Sequence, residues 1–232
     1  MLNFTTPNSQ ATKVSDMKKL IKSAIILSLS TIGHVSMANA QPLAMNTKKL
    51  SVEKTFRINP KSVLKLDGKT NVNSFTCGCN ETFQSQQLSV EPPADGSLST
   101  DFRSAALKLK IKSLDCGNPI MNKDLQKALN AKAHPNITIE LLRVEQDKCN
   151  RLTELKDWVK MKALTKISLN GHSREYWINI TAKKAGPNQY RFIGTKTINM
   201  TDFCVTPPVA LMGAIKVKDE IAINLDLDVS VE

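Results

Sequence analysis

Aromatic side chains are scarce in this chain, at 5% of 232 residues, and it has only three histidines. Beyond residue 40 only His134 and His172 occur. His134 precedes Pro135 and His172 follows Asn170-Gly171, and neither sits in the Ser, Cys or Asp setting of a catalytic triad. A glycine-rich phosphate loop is also missing. No motif asks for an enzyme, although residues that meet only in the fold escape this test. Basic residues do not alternate with aromatic ones, which speaks against nucleic acid as a partner. The longest apolar run falls short of the roughly 20 residues that a membrane-spanning helix needs.

That run lies in MKKLIKSAIILSLSTIGHVSMANA, Met17 to Ala40, which has the three parts of a secretory signal. Lys18, Lys19 and Lys22 form a basic start, Ala24 to Gly33 an apolar middle, and Ala38 and Ala40 a small-x-small site before Gln41. The alternative is a buried core helix. The expectation is Sec-type export to the periplasm or medium, cleavage between Ala40 and Gln41, and no lipid anchor, since the cleavage point carries Gln41 and not a cysteine. The polar residues 1–16 precede a better start at Met17, so they read as a mis-assigned start. Residues 1–40 hold four lysines and one aspartate, so cleavage lowers the net charge from +11 to +8. The remaining 192 residues, a linker over 41–48 and one domain over 49–232, suffice for a full core.

All five cysteines, Cys77, Cys79, Cys116, Cys149 and Cys204, follow the cleavage site. An oxidising compartment permits disulfides, and the odd count leaves at least one free thiol. Cys77-Gly78-Cys79 resembles half of a metal knuckle, but no second cluster has zinc spacing, so no metal is expected. The Asn-x-Thr triplets at Asn3, Asn80, Asn136, Asn179 and Asn199 read as strand chemistry rather than glycan sites.

Apolar residues alternate with period two through most of the chain, the pattern of strands with one dry and one wet face. Leu107, Leu109 and Ile111 alternate with Lys108, Lys110 and Lys112. Val159, Met161, Ala163, Ile167 and Leu169 share a face opposite Lys160, Lys162 and Lys166, and the lysine rows read as a solvated exterior. Strands are expected over 50–58, 61–69, 72–90 (broken), 103–115, 137–146, 157–170, 173–184, 189–200 and 219–231. Asp67-Gly68, Asp95-Gly96, Asn170-Gly171 and Gly186-Pro187-Asn188 are turn formers. The fold class is therefore all-β: an antiparallel up-and-down barrel of about eight strands, closed because closure removes exposed edges. One short amphipathic helix is expected over 121–131, where Met121, Leu125, Ala128 and Leu129 fall at helical spacing. The patch Val209, Ala210, Leu211 and Met212 suits a loop or short helix over a barrel mouth.

A barrel of this size either fills with side chains or admits one slender ligand. Few rings and many aliphatic side chains leave room for a chain, whose burial is worth about 0.8 kcal/mol per methylene. The expected partner is an amphiphilic lipid, with no cofactor beyond a bound isoprenoid or fatty-acyl lipid. The residues chosen as lumen-facing are Phe75, Leu107, Leu109, Ile111, Met161, Ile167, Tyr176, Ile178 and Ile180. The competing reading is a packed β-domain that binds envelope polymers or a protein through its basic exterior.

From Leu50 to Glu232 the order of features resembles the YceI-like family. The likeness is carried by SVLKLDGKTNVNSFTC (Ser62 to Cys77), LKIKSLDCGNPIMNKDLQKAL (Leu109 to Leu129) and HPNITIEL (His134 to Leu141). INMTDFCVTPP (Ile198 to Pro208) and GAIKVKDEIAINLDL (Gly213 to Leu227) complete it. The resemblance implies a lipocalin-like barrel outside the cytoplasm that encloses a polyisoprenoid or similar amphiphile, with no catalytic residues to transfer. Cys204 stands where the pattern leads one to expect glycine, and the number of cysteines is atypical.

One disulfide, Cys77–Cys116, is expected from register. A three-residue hairpin at Ala94-Asp95-Gly96 would pair 79 with 111, 81 with 109 and 83 with 107. A bulge near Lys112-Ser113 would then bring Leu114 opposite Cys77 and Cys116 opposite Phe75, making the two cysteines diagonal neighbours. The alternative is that all the cysteines are small buried thiols.

Overall fold

The computed structural model describes residues 51–91, 98–146 and 157–232, all within one compact unit, Thr47–Glu232. The expected signal with its Ala40–Gln41 cleavage point, the linker, Cys149 and the Asp95-Gly96 turn lie outside the described residues.

The alternating segments form strands. In chain order these are β1 (Val52–Ile58), β2 (Val63–Thr70), β3 (Ser74–Cys79), β4 (Gln86–Glu91), β5 (Ser99–Arg103), β6 (Ala106–Lys110) and β7 (Leu114–Asp115). After helix α1 (Pro119–Ala128) come β8 (Asn136–Gln146), β9 (Val159–Leu169), β10 (His172–Gly186), β11 (Gln189–Asn199), β12 (Val209–Ala210) and β13 (Ile215–Val231). On β9 every second residue from Val159 to Leu169 is buried, as its period-two pattern requires.

Eight antiparallel strands close into a ring in the order β1, β4, β5, β8, β9, β10, β11, β13. Phe56 opposite Val231 and Ile58 opposite Val229 make the closing contact. The expected all-β ring of about eight strands with one helix is therefore present, but the ring is uneven. The 17-residue β13 serves two partners on one edge, β1 near its end and β2 over Val217–Asp226. Likewise β8 pairs with β5 at Arg143 and with β6 at Ile139. Beyond β2 come β3 and then β7, and β7 continues β6 through a 3-10 turn at Ile111–Ser113. The chain itself thus spans from β8 back to β3 where the wall divides.

Two sequence expectations need correction. Asp67-Gly68 is no turn: both residues lie within β2, opposite Thr76 and Phe75 of β3. The turn falls at residues 71–73, where the Asn73 N–H donates to the Thr70 hydroxyl at 2.9 Å. Gly68 instead makes room, because a Cβ there would overlap the Phe75 ring. The helix begins earlier than expected and ends at Ala128. The Asn118 side chain accepts from the Ile120 and Met121 N–H groups, and Pro119 sits where its missing N–H costs nothing. The β9–β10 hairpin does turn on Asn170-Gly171, both left-handed with φ of 50° and 77°.

Apolar residues form two clusters inside the barrel. The larger includes Leu64, Leu109, Ile111, Leu114, Ile167, Phe203 and Val205. The smaller joins Val144, Val159, Met161, Ala163 and Ala182 to Phe102, Leu141, Ile180 and Phe192.

Candidate functional site

At one end the barrel is hollow. A cavity of about 470 Å³ is walled by β2, β3, β8, β9, β11 and β13, through residues such as Leu64, Leu66, Ile137, Ile139, Leu169, Ile198, Ile221 and Ile223. It lies where β2, β9 and β11 finish and where β8 and β13 begin. Helix α1 contributes Ile120, Met121, Leu125 and Ala128, and the 208–211 segment contributes Pro208 to Leu211. The opposite end is packed by the smaller cluster around Met161 and Phe192.

Polar side chains on the cavity wall are limited to Thr70, Asn73, Asn118 and Asp124. Among the described residues, no buried side-chain nitrogen or oxygen lacks a hydrogen-bond partner. The wall therefore holds no orphaned polar group waiting for a polar ligand, and its chemistry is that of a dry, aliphatic slot. Nor does any group of three or more His, Cys, Asp and Glu among the described residues suit a metal ion.

Phe75, Leu109 and Ile167, three of the residues chosen as lumen-facing, stand on this wall. Leu107 and Ile111 are buried in the larger cluster, outside the lining. Met161 and Ile180 belong to the packed end, and Ile178 is buried at 4% exposure without reaching the cavity. Tyr176 packs against Phe203 with ring centroids 6.4 Å apart, and its hydroxyl donates to Asp202 at 3.1 Å. Burial and that carboxylate push its pKa up to about 12, so the phenol stays protonated. Sequence reading missed the helix residues Met121 and Leu125 as wall, though their spacing marked an apolar face. It also missed Ile215, Val217, Ile221 and Ile223 of β13, whose alternation gave the same signal as the strands chosen.

The disulfide Cys77–Cys116 is present with a Cα separation of 3.9 Å, and both cysteines line the cavity. The register behind it differs from the expected one. Pairings of 79 with 111, 81 with 109 and 83 with 107 do not form; β3 pairs with β7 through Cys79 opposite Leu114 and Gly78 opposite Asp115. The 3-10 turn at Ile111–Ser113 takes up the residues that a single bulge was expected to absorb. Continued by one residue, that register sets Cys116 directly opposite Cys77 rather than diagonal to it. Cys79 and Cys204 are free thiols, and burial raises the Cys79 pKa above its ordinary value.

The 209–212 patch, expected over the mouth, includes a two-residue strand and a turn. β12 pairs with β13 through Val209 opposite Lys216, and Leu211–Gly213 follow as a tight turn. No helix of the described residues is long and apolar enough to cross a membrane.

No curated protein matches the sequence. Among solved structures, the chain is similar to a polyisoprenoid binding domain from Saccharophagus degradans implicated in plant cell wall breakdown. That likeness has a TM-score of 0.55 at 9% identity and covers 76% of this chain and 98% of that one. It is also similar to BcnA of Burkholderia cenocepacia, with a TM-score of 0.51 at 18% identity over 72% of this chain and 96% of that one. At such identities the likeness speaks for the fold. The sequence model of the YceI-like domain matches residues 64–229, well over half of the chain, and the chain belongs to that family.

Proposed function

We propose that this chain binds and carries a long apolar lipid, a polyisoprenoid or similar amphiphile, in the hollow end of its barrel. The observation that carries the reading is the cavity of about 470 Å³ with an almost wholly aliphatic wall and an open mouth. Its size falls in the usual range for ligand pockets, about 300–1,000 Å³. Burying about ten methylenes there returns about 8 kcal/mol, against an association cost of several kcal/mol. No directed polar contact is needed, which explains the absence of a motif. The similar domain from Saccharophagus degradans, described as polyisoprenoid binding, supports the ligand class. In this reading the chain is a carrier and not an enzyme.

The carrier works outside the cytoplasm. The signal-like segment Met17–Ala40 and the disulfide Cys77–Cys116 support that location, since such bonds persist in oxidising compartments. A mature N-terminus at Gln41, read by mass spectrometry, is the expected product. The competing reading, a packed β-domain acting through its basic exterior, called for an occluded barrel, and the cavity weighs against it.

The test is uptake of a fluorescent polyprenyl or fatty-acyl probe by lipid-extracted protein. Saturable uptake, displaced by unlabelled isoprenoid and little changed by salt, is expected. Uptake that vanishes at high salt would favour the basic exterior instead.

A further inference from the structure

Ten large hydrophobic residues are exposed among the described residues, and they are not spread evenly. The five most exposed, Val72, Ile120, Val209, Leu211 and Met212, all border the cavity mouth, while Val52, Val63, Trp158, Trp177 and Ile193 are exposed by 44% or less. Ile120 and Leu211 are each 73% exposed and also line the cavity. Val72 lies between Thr70 and Asn73, which line it too. Met212, fully exposed, follows Leu211.

The loop that presents Leu211 and Met212 is built to hold them outward. Both have left-handed backbones, with φ of 49° and 55°, a conformation unfavourable for residues other than glycine. Hydrogen bonds pin the loop in place. The Val217 N–H donates to the Pro208 carbonyl at 3.0 Å, and the Asn71 side chain joins Ala214 and Lys216 at 2.9 and 2.8 Å. Two bulky apolar side chains are thus held in water at a conformational cost, beside an opening into an aliphatic cavity. Exposed Lys69, Lys123 and Lys216 accompany them, Lys216 paired directly with Val209, and Asp124 is the acidic member at the mouth.

We propose that this rim is a membrane-docking surface: Val72, Ile120, Val209, Leu211 and Met212 enter the headgroup boundary of an anionic bilayer, with the neighbouring lysines meeting its phosphates. The inference rests on the lipid-carrier reading, because docking joins the apolar rim to the cavity and lets a lipid pass between bilayer and barrel without crossing water. The apolar residues supply the area and the lysines the headgroup attraction that interfacial binding requires.

The experiment is co-sedimentation of the full chain with two kinds of vesicle, equal parts phosphatidylethanolamine and phosphatidylglycerol, and phosphatidylcholine alone. The parent chain should partition onto the first and less onto the second. Val72→Ser with Met212→Ser changes two rim residues that do not line the cavity, and should weaken partition about tenfold. The apolar segment Ala24–Gly33 is common to the parent, the double variant and the barrel-wall variant, so a difference among the three belongs to the rim. Thermal melting of the double variant should match the parent, and Ile193→Ser, on the barrel wall, should partition as the parent does. Unchanged partition of the double variant, or no partition of the parent, overturns the proposal. A parent that carries lipid without partitioning overturns docking alone, whereas a parent that partitions through its rim without holding lipid supports docking and removes the carrier reading.

Discussion

The ring of Phe75 lies across the backbone of Gly68, its direct partner on β2, so closely that a Cβ at Gly68 would stand 2.8 Å from both Cε1 and Cε2. Phe75 also lines the cavity, so this contact sets the wall's position. Gly68→Ala should push the ring off β2 and toward the lumen. The expected cost is about 1–3 kcal/mol in denaturant unfolding, together with weaker lipid uptake. Adding Phe75→Leu should recover most of both losses, since the clash is between these two groups.

The Cys77–Cys116 bridge closes a sequence separation of 39 residues and ties β3 to the segment entering α1. By the loop-entropy argument its loss should cost about 4 kcal/mol. Cys77→Ala with Cys116→Ala should show that loss in urea, while Cys79→Ser should leave stability nearly unchanged. Non-reducing peptide mapping should recover the 77–116 pair.

Acid should destabilise the barrel through β13. Arg191 donates two hydrogen bonds to Asp226, at 2.7 and 2.6 Å, and holds that carboxyl below its ordinary 3.8. Gln189 and Asn59 do the same for Asp228, at 2.7 and 2.6 Å. Their folded-state values are lowered, so their contribution is fully present above the ordinary value and lost as pH falls through the folded one. The melting temperature should therefore drop below about pH 4. Asp226→Asn with Asp228→Asn should flatten that drop while lowering the plateau.

Filling the hollow end should separate binding from stability. Val217 lines the cavity from β13 and is only partly buried. Val217→Phe should reduce uptake of a polyprenyl probe severalfold with little change in melting temperature. Ala163→Phe, a larger insertion made in the packed cluster, should instead destabilise by about 3 kcal/mol.

Period-two alternation made the strands legible, and on β9 it assigned each side chain to the correct face. It does not say how far along the barrel an inward residue lies. Met161 and Ile167 share a face of one strand, yet Met161 belongs to the cluster that Phe102 and Phe192 pack against, while Ile167 borders the cavity. Depth depends on which distant aromatics fill the far end, and local pattern carries no trace of that. Gly68 looked like a turn because Asp-Gly usually is one; only the partner strand reveals that it accommodates Phe75. The Cys77–Cys116 pairing was legible from cysteine faces, whereas its register depended on a 3-10 turn that alternation cannot encode.

Native mass spectrometry of the protein purified from its own envelope, without organic solvent, tests lipid carriage most directly. The expected spectrum has the protein with one added mass, released as an isoprenoid or acyl lipid on extraction and diminished in Val217→Phe. A bare protein mass that stays bare after incubation with envelope lipids would contradict carriage and leave the cavity without a cargo.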